Sequence, residues 1–148
     1  MCVSQADQSG GVAFLDASAT VEGFSRANCS GNSALRGGVA YLSGGGTFAL
    51  NTSYFEDNES GGNGGCFYVD ANAEFTSEGN RHVGSASVGQ GAVLYAALRS
   101  SIVIADSEYE GGVARTDGGA LYIDNALRFS VMRTAFRANS ATNGEARG

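Results

Sequence analysis

The stretch GGVAYL at residues 37–42 returns along the chain with a spacing of 27 residues. Its first glycine belongs to a column formed by Gly10, Gly37, Gly64, Gly91 and Gly118. Two apolar columns keep the same spacing, namely Phe14, Tyr41, Tyr68, Tyr95 and Tyr122, and Val21, Phe48, Phe75, Ile102 and Phe129. Self-similarity at a fixed period is typical of stacked structural units, so the sequence predicts a solenoid.

The repeating unit is short, rich in glycine and free of proline. The chain contains 23 Gly and no Pro, whereas helical repeats need about 33 residues or more and long stretches without glycine. Short runs of β-branched, aromatic and small residues, such as 12–15 and 74–76, predict three strands in each unit. We therefore expect an all-β fold, a right-handed parallel β-helix of about five coils of 27 residues. Because no shift in composition marks a boundary, residues 1–148 form one predicted domain.

The third predicted strand carries two further columns. The first contains Cys2, Cys29, Phe55, His82, Tyr109 and Phe136, with one step of 26 residues instead of 27. The second lies three positions later and contains Gln5, Asn32, Asn58, Ser85, Gly112 and Asn139. Stacked Asn side chains can hydrogen-bond to the coils above and below them at the strand spacing of about 4.8 Å. The second column therefore predicts an internal polar ladder.

Two short motifs carry a family resemblance. The first reads Gly-Gly-Val-Ala at 10–13 and 37–40 and Gly-Gly-Ala-Leu at 118–121, and the second reads Phe-x-x-Asn at 55–58 and 136–139. They resemble the repeats of the chlamydial polymorphic outer membrane proteins. This resemblance implies a surface-exposed passenger, thought to be a right-handed parallel β-helix, and a role in adhesion to host cells.

Charge and hydropathy disfavour several partners. The chain has 9 basic and 15 acidic residues, which leaves a formal net charge of -6, and every basic residue is Arg. This balance disfavours nucleic acid as a partner.

No run reaches the roughly 18 apolar residues of a membrane span, and residues 1–5 lack a signal-peptide pattern, so we expect no membrane insertion by this segment. The repeat is present at Cys2 and at Asn139, which predicts a longer solenoid or ends that partners cover.

The main candidate binding surface is the aromatic strip, defined as Phe14, Tyr41, Tyr68, Tyr95 and Tyr122. Strand parity places it on the same side as residue 12 of each coil and as Asp16, Asp70 and Asp124. Because carboxylates prefer water, we predict that the aromatic strip faces outward. Five such rings would span roughly 20 Å and fit a protein partner or a glycan. The alternative is that a loop covers the rings or that they belong to the core.

The candidates for catalysis are weak. Asp16, Asp70 and Asp124 recur at twice the period, so neighbours would lie about 9.5 Å apart, near the upper end of the spacing in inverting glycosidases. Ser43 and Ala97 lie between them and supply no partner, and Asp after a strand is ordinary turn chemistry. Polysaccharide lyases also use parallel β-helices, but they need a basic residue beside an acidic calcium cluster, which the sequence lacks. We predict no catalytic residue, no cofactor and no metal site.

The only histidine and the three cysteines also have structural interpretations. His82 lies between Phe55 and Tyr109 in its column, without Cys or carboxylate at ligand spacing, which favours a stacked or turn histidine over a metal ligand. Cys2 and Cys29 occupy neighbouring coils of one column, about 4.8 Å apart, and are placed for a disulfide. The third cysteine lies in another strand and is predicted to be free.

Three sequons would permit glycosylation in a eukaryotic secretory route. They lie at 28–30, 51–53 and 58–60. Asn58 already belongs to the polar ladder, whereas Asn51 stands next to a predicted turn. Asn51 is therefore the best candidate for glycosylation.

These observations favour a non-catalytic structural or adhesive module at the cell surface or outside the cell. The alternative is a soluble scaffold or assembly subunit of an intracellular or organellar complex, with partners on the aromatic strip and at the uncapped ends. A polysaccharide-acting enzyme is a distant third, because fold alone does not assign that activity.

Overall fold

The protein is a parallel β-solenoid built entirely from short strands, as described by a computed structural model that covers residues 1–143. Residues 144–148 of the predicted domain lie outside the described part. The described chain contains 20 strands, numbered β1 to β20 in chain order, which form four sheets of five strands. Each coil contributes one strand to each sheet. A coil therefore has four strands, the three that the sequence predicts and an additional one of only two residues. The all-β solenoid of about five coils predicted from the sequence is confirmed.

The strands of each sheet follow one another along the solenoid axis. The first sheet consists of β1 (Ala13–Leu15), β5 (Ala40–Leu42), β9 (Phe67–Val69), β13 (Leu94–Ala96) and β17 (Leu121–Ile123). The second consists of β2 (Thr20–Ser25), β6 (Thr47–Asn51), β10 (Glu74–Glu78), β14 (Ser101–Ala105) and β18 (Arg128–Met132). The third consists of β3 (Asn28–Ser30), β7 (Tyr54–Glu56), β11 (Arg81–Val83), β15 (Glu108–Glu110) and β19 (Ala135–Arg137). The fourth consists of β4 (Ser33–Ala34), β8 (Glu59–Ser60), β12 (Ala86–Ser87), β16 (Val113–Ala114) and β20 (Ser140–Ala141).

The pairing between coils is parallel and in the register that the repeat predicts. Phe75, for example, pairs with Phe48 on one side and with Ile102 on the other. The register shifts once, between Val21 and Phe24, where β2 has six residues and β6 has five. This bulge accounts for the 26-residue step in the third-strand column, because one extra residue in the first coil is absorbed there.

The repeated glycine is required by the backbone at the corner before the first sheet. Gly37 has a φ of 59°, in the left-handed region, and a Cβ there would collide with the backbone carbonyl oxygen of Ala40. The same geometry holds at the equivalent position in every coil. Only glycine avoids both the steric cost of positive φ and the backbone clash, which explains why this column is invariant within the chain.

Strand parity predicts that Val12 and its equivalents in the other coils face outward with the aromatic strip, and this prediction is wrong for the inner coils. Val39, Cys66 and Val93 are buried, although the ring two residues further on points outward. The reason is a bend at the corner, where the carbonyl oxygen of Cys66 accepts hydrogen bonds from the backbone N–H groups of both Val39 and Ala40. Two successive side chains therefore point inward before the strand resumes its alternation.

The core lies between the four sheets and consists of the predicted apolar columns. Phe48, Phe75 and Ile102 are almost completely buried, as predicted for the second strand. Phe129 belongs to the same column but is 50% exposed because no further coil covers it within the described residues. The last described coil thus leaves an apolar end face, formed by Leu127, Phe129, Met132 and Phe136.

Candidate functional site

The aromatic strip crosses all five strands of the first sheet, because each ring is the middle residue of its strand. The register pairs Phe14 with Tyr41 and continues through Tyr68 and Tyr95 to Tyr122. Successive ring centroids lie 4.8 to 5.5 Å apart, and successive ring planes are within 23° of parallel. The rings form one continuous stack along the solenoid axis.

The aromatic strip faces away from the core, as the carboxylates beside it predicted. The neighbours of Tyr68 in β9, Phe67 and Val69, are fully buried on the core side of the sheet. Phe14, at one end of the stack, is 59% exposed, and the other members are partly exposed except Tyr68, at 9%. Tyr68 is covered by the two adjacent rings and by Arg36, whose guanidinium carbon lies 5.8 Å from the ring centroid. The rings are therefore neither core residues nor hidden beneath a loop.

Stacking leaves the ring edges and hydroxyls as the surface that a partner can reach. Within the described residues, Tyr68 Oη donates the single hydrogen bond made by the hydroxyls of the aromatic strip, to Asp70 Oδ2 at 3.4 Å. Partial burial, followed by the nearby Asp70 carboxylate, raises the pKa of Tyr68 to about 12. The pKa of Tyr95 is raised for the same reasons, in the same order. The hydroxyls of Tyr68 and Tyr95 therefore remain protonated donors at physiological pH.

A row of carboxylates borders the aromatic strip on the side where the strands end. Asp16 Oδ1 accepts a hydrogen bond from the N–H of Ala17 at 2.8 Å, and Asp70 Oδ1 accepts one from the N–H of Ala71 at 2.7 Å. Asp124 occupies the same position two coils further on and is exposed. The turn chemistry expected for these residues is present, and each of Asp16 and Asp70 keeps its second oxygen directed away from the turn bond.

His82 is a buried member of the third-strand column and not a surface ligand. Its ring stacks between Phe55 and Tyr109, at 4.7 Å from each centroid, and meets Phe67 edge to face at 5.7 Å. Neither ring nitrogen has a hydrogen-bond partner among residues 1–143. Burial without a partner lowers the pKa of His82 to about 3, so the ring is neutral in the folded protein. The stacked-histidine prediction is confirmed.

The predicted polar ladder is present between Asn32 and Asn58 but does not run through the whole column, because Gln5 is exposed and Ser85 Oγ contacts Cys66 Sγ instead. Asn32 Nδ2 donates to Asn58 Oδ1 at 2.7 Å, and the backbone N–H of Asn32 donates to the same oxygen at 3.1 Å. Asn58 Nδ2 in turn donates to the carbonyl oxygen of Cys29 at 3.0 Å. Both Asn side chains are fully buried, so their hydrogen bonds satisfy backbone groups that water cannot reach.

Sequence reasoning missed a second polar ladder at the preceding corner. Asn80 Oδ1 accepts a hydrogen bond from the N–H of Ser53 at 2.8 Å, and Ser107 Oγ accepts one from the N–H of Asn80 at 3.1 Å. Thr134 Oγ1 continues the pattern in the last described coil. The signal was present as a column of small hydroxyl residues and one Asn at the repeat spacing.

The cysteines and sequons lie where the sequence predicted. Cys2 and Cys29 form a disulfide with a Cα–Cα distance of 4.5 Å. Cys66 is free and buried, and burial raises the pKa of its thiol to about 12 even though Ser85 Oγ lies 3.0 Å from the sulfur. Asn51 is exposed, whereas Asn58 is fully buried. Asn28 is also exposed, so exposure excludes only Asn58, and glycosylation of Asn51 stays a prediction.

Neither a cluster of metal ligands nor an apolar membrane-spanning helix is present in the described residues. Among residues 1–143, no three His, Cys, Asp or Glu side chains lie close enough together to hold a metal ion. The same part of the chain has no helix that is long and apolar enough to cross a membrane. A shallow cavity of about 360 Å³ beside the fourth sheet is lined by Leu35, Gly61 and Val88, with Asp7 and Glu59 at its rim.

No protein-family model, curated protein or solved structure matches this chain. The class of protein therefore follows from the fold itself, a parallel β-solenoid that carries an outward aromatic strip.

Proposed function

We propose that the protein is a non-catalytic structural or adhesive module that acts through the surface of a rigid β-solenoid. The motifs at 10–13, 37–40 and 55–58 resemble the repeats of the polymorphic outer membrane proteins, and that resemblance supports a surface-exposed adhesive role. A location at the cell surface or outside the cell agrees with the disulfide between Cys2 and Cys29, because such bonds persist in oxidising compartments.

The observation that carries the proposal is the continuous aromatic strip on the outer face of the first sheet. A stack of rings that faces outward contributes less to the core than an inward column would, yet it is present in every complete coil. Strand pairing holds each ring in place, so a partner meets a surface that is already ordered and loses little conformational entropy in it.

The geometry favours a protein partner over a glycan. Sugars stack on an exposed aromatic face, but in this strip each ring face is covered by the next ring at 4.8 to 5.5 Å. The exceptions are the outer faces of Phe14 and Tyr122, which lie at the two ends of the stack. A polypeptide, in contrast, can use the ring edges, the hydroxyls and the neighbouring carboxylates together.

Adhesion of protein-coated beads to cultured host cells tests the proposal. Tyr95→Ser, which interrupts the strip, should lower bead adhesion severalfold, and Tyr54→Ser should leave it unchanged. Tyr54 is the matched control because it is a partly exposed tyrosine on the third sheet, outside the aromatic strip. Circular dichroism should show equal folding of both variants. Equal adhesion of the two variants, or none by the parent protein, would overturn the proposal.

The apolar end face supports a second candidate, a scaffold subunit. Within the described residues Phe129 is 50% exposed there, whereas Phe48, Phe75 and Ile102 of the same column are buried. A partner seated on this face would protect Phe129 and leave Tyr95 accessible. Native mass spectrometry that finds a partner at a fixed ratio, lost in Phe129→Ser but kept in Tyr95→Ser, would select the scaffold over the adhesive module.

A further inference from the structure

The aromatic strip presents a regular row of hydrogen-bond donors. Four of its five members are tyrosines, and their spacing follows the ring stack at 4.8 to 5.5 Å. Within residues 1–143, the hydroxyls of Tyr41, Tyr95 and Tyr122 make no intramolecular hydrogen bond, and Tyr68 makes one long bond to Asp70. A partner that pairs with these hydroxyls must therefore offer a row of free hydrogen-bond acceptors.

Negative charge accompanies this row at every second coil. Asp16, Asp70 and Asp124 lie at the same position of alternate coils, so their spacing is about 9.5 Å at the usual strand separation. One cation contacts the aromatic strip, Arg36 over the ring of Tyr68, and Arg99 lies in the turn after β13. A matching partner should carry positive charges with a repeat close to 9.5 Å along the solenoid axis.

A polyproline II segment meets both requirements. It has three residues per turn and a rise of about 3.1 Å per residue, so every third side chain returns to the same side after about 9.3 Å. Its backbone carbonyls make no internal hydrogen bonds and are free to accept from tyrosine hydroxyls. An extended β-strand repeats its side chains at about 6.7 Å, which does not match the carboxylate row. Aromatic surfaces with hydroxyl groups are a recurring way to bind this conformation.

We propose that the aromatic strip binds a basic polypeptide segment in the polyproline II conformation, with Arg or Lys at every third position, lying along the solenoid axis. This inference rests on the proposed function, in which the aromatic strip is the binding surface. Prolines between the cations pack on the ring edges, the cations face Asp16, Asp70 and Asp124, and the carbonyls accept hydrogen bonds from the hydroxyls.

Fluorescence anisotropy with labelled peptides tests this assignment. The probe is a capped peptide of four Pro-Pro-Arg triplets. One control has the same composition with the four arginines contiguous at one end, and another has Glu in place of Arg. We expect saturable binding of the triplet peptide, at least fivefold weaker binding of the contiguous peptide and none of the Glu peptide. Equal binding of the two arginine peptides would reduce the interaction to general charge attraction and overturn the proposal.

Two conservative variants locate the binding on the aromatic strip. Asp70→Asn keeps an oxygen for the turn bond to Ala71 and removes only the charge, and Tyr95→Phe keeps the ring stack and removes only the hydroxyl. Each should weaken binding of the triplet peptide by about two- to fivefold, the range of an exposed pair. The matched controls Glu78→Gln and Tyr54→Phe, on other sheets, should leave it unchanged. Equal effects of variants and controls would overturn the assignment.

The two proposals fail in different ways. If the peptide does not bind while Tyr95→Ser still lowers cell adhesion, the adhesive function stands and the polyproline II ligand is wrong. If a glycan array gives strip-dependent binding and the peptide does not bind, the partner is a sugar and this inference is overturned. If Tyr95→Ser changes neither adhesion nor peptide binding, both proposals fall.

Discussion

At the scale of single residues, His82 is the least satisfied polar group in the core. Its ring takes the place of an aromatic hydrocarbon between Phe55 and Tyr109, and both nitrogens lack a partner. A buried polar atom without a hydrogen bond costs about 1 to 3 kcal/mol. The stacking of the ring on its neighbours offsets part of this cost. Only the neutral form of the His82 imidazole is stable in the core.

We predict that His82 makes the fold sensitive to acid. Its pKa is lowered from 6.5 to about 3 in the folded state, so below pH 6.5 the unfolded chain binds a proton that the folded chain does not. The free energy of unfolding should therefore fall as pH falls from about 6.5 towards 3, by about 2 kcal/mol at pH 5. Urea unfolding at several pH values measures this loss.

His82→Phe is the control, since it keeps the ring stack and removes the only histidine. This variant should be more stable than the parent by about 1 to 3 kcal/mol at pH 7 and should lose little further stability down to pH 5. Identical pH dependence of the two proteins over this range would refute the role of His82.

The buried amides act at the same scale. Asn58→Ala should lower the free energy of unfolding by about 2 to 4 kcal/mol, because it removes three hydrogen bonds and leaves the buried N–H of Asn32 without its side-chain acceptor. Asn51→Ala, an exposed amide, should change it by less than about 0.5 kcal/mol. Chemical denaturation of both variants measures these changes in the free energy of unfolding. Similar small effects at both sites would mean that water satisfies the ladder.

At the scale of elements, the turns after the first four strands of the first sheet are unusual because two successive residues in each have positive φ. These turns stack, with the N–H of Asn72 donating to the carbonyl of Leu98 at 3.0 Å and the N–H of Arg99 donating to the carbonyl of Asn125 at 2.8 Å. One coil places Gly44 and Gly45 there, but another places Leu98 and Arg99. The stacked turns therefore contain residues whose side chains disfavour their own backbone conformation.

Leu98→Gly should stabilise the protein. Leu98 has a φ of 48° and is 56% exposed. The variant therefore relieves steric strain in the backbone and loses little buried apolar surface. After the larger backbone entropy of glycine in the unfolded chain is subtracted, the gain should be about 0.5 to 1 kcal/mol. Leu35→Gly is the matched control, an exposed leucine with ordinary φ, and should be destabilising. If thermal unfolding shows that Leu98→Gly is less stable than the parent protein, the backbone of Leu98 is not strained.

At the scale of the whole molecule, stability is a sum over neighbouring coils, since each coil contacts the ones beside it. The first residues of the chain add only isolated bridges to the next coil, at Cys2, Gln5 and Ser9. The disulfide to Cys29 is therefore the strongest tie between this segment and the first complete coil.

Reduction should loosen that end of the solenoid. The bond closes a loop with a sequence separation of 27 residues, for which the chain-entropy model gives about 3.5 kcal/mol. Cys2→Ser should lower stability by a similar amount and make it independent of reductant, whereas Cys66→Ala should keep the dependence. Under denaturing conditions without reductant, alkylation should label one thiol per chain, that of Cys66. Three labelled thiols would show that the disulfide does not form.

The coil, its register and its buried columns could be predicted from the sequence alone, because every coil meets nearly the same neighbours and a fixed spacing repeats each contact. The tertiary structure decided the rest. It turned Val39 and Ala40 inward together, since a shared carbonyl bends the backbone at the corner, a feature that strand parity does not contain. It also decided that the tyrosines cover one another's faces and expose their edges. Ring orientation depends on the distance and tilt between neighbouring coils, which only the assembled solenoid defines.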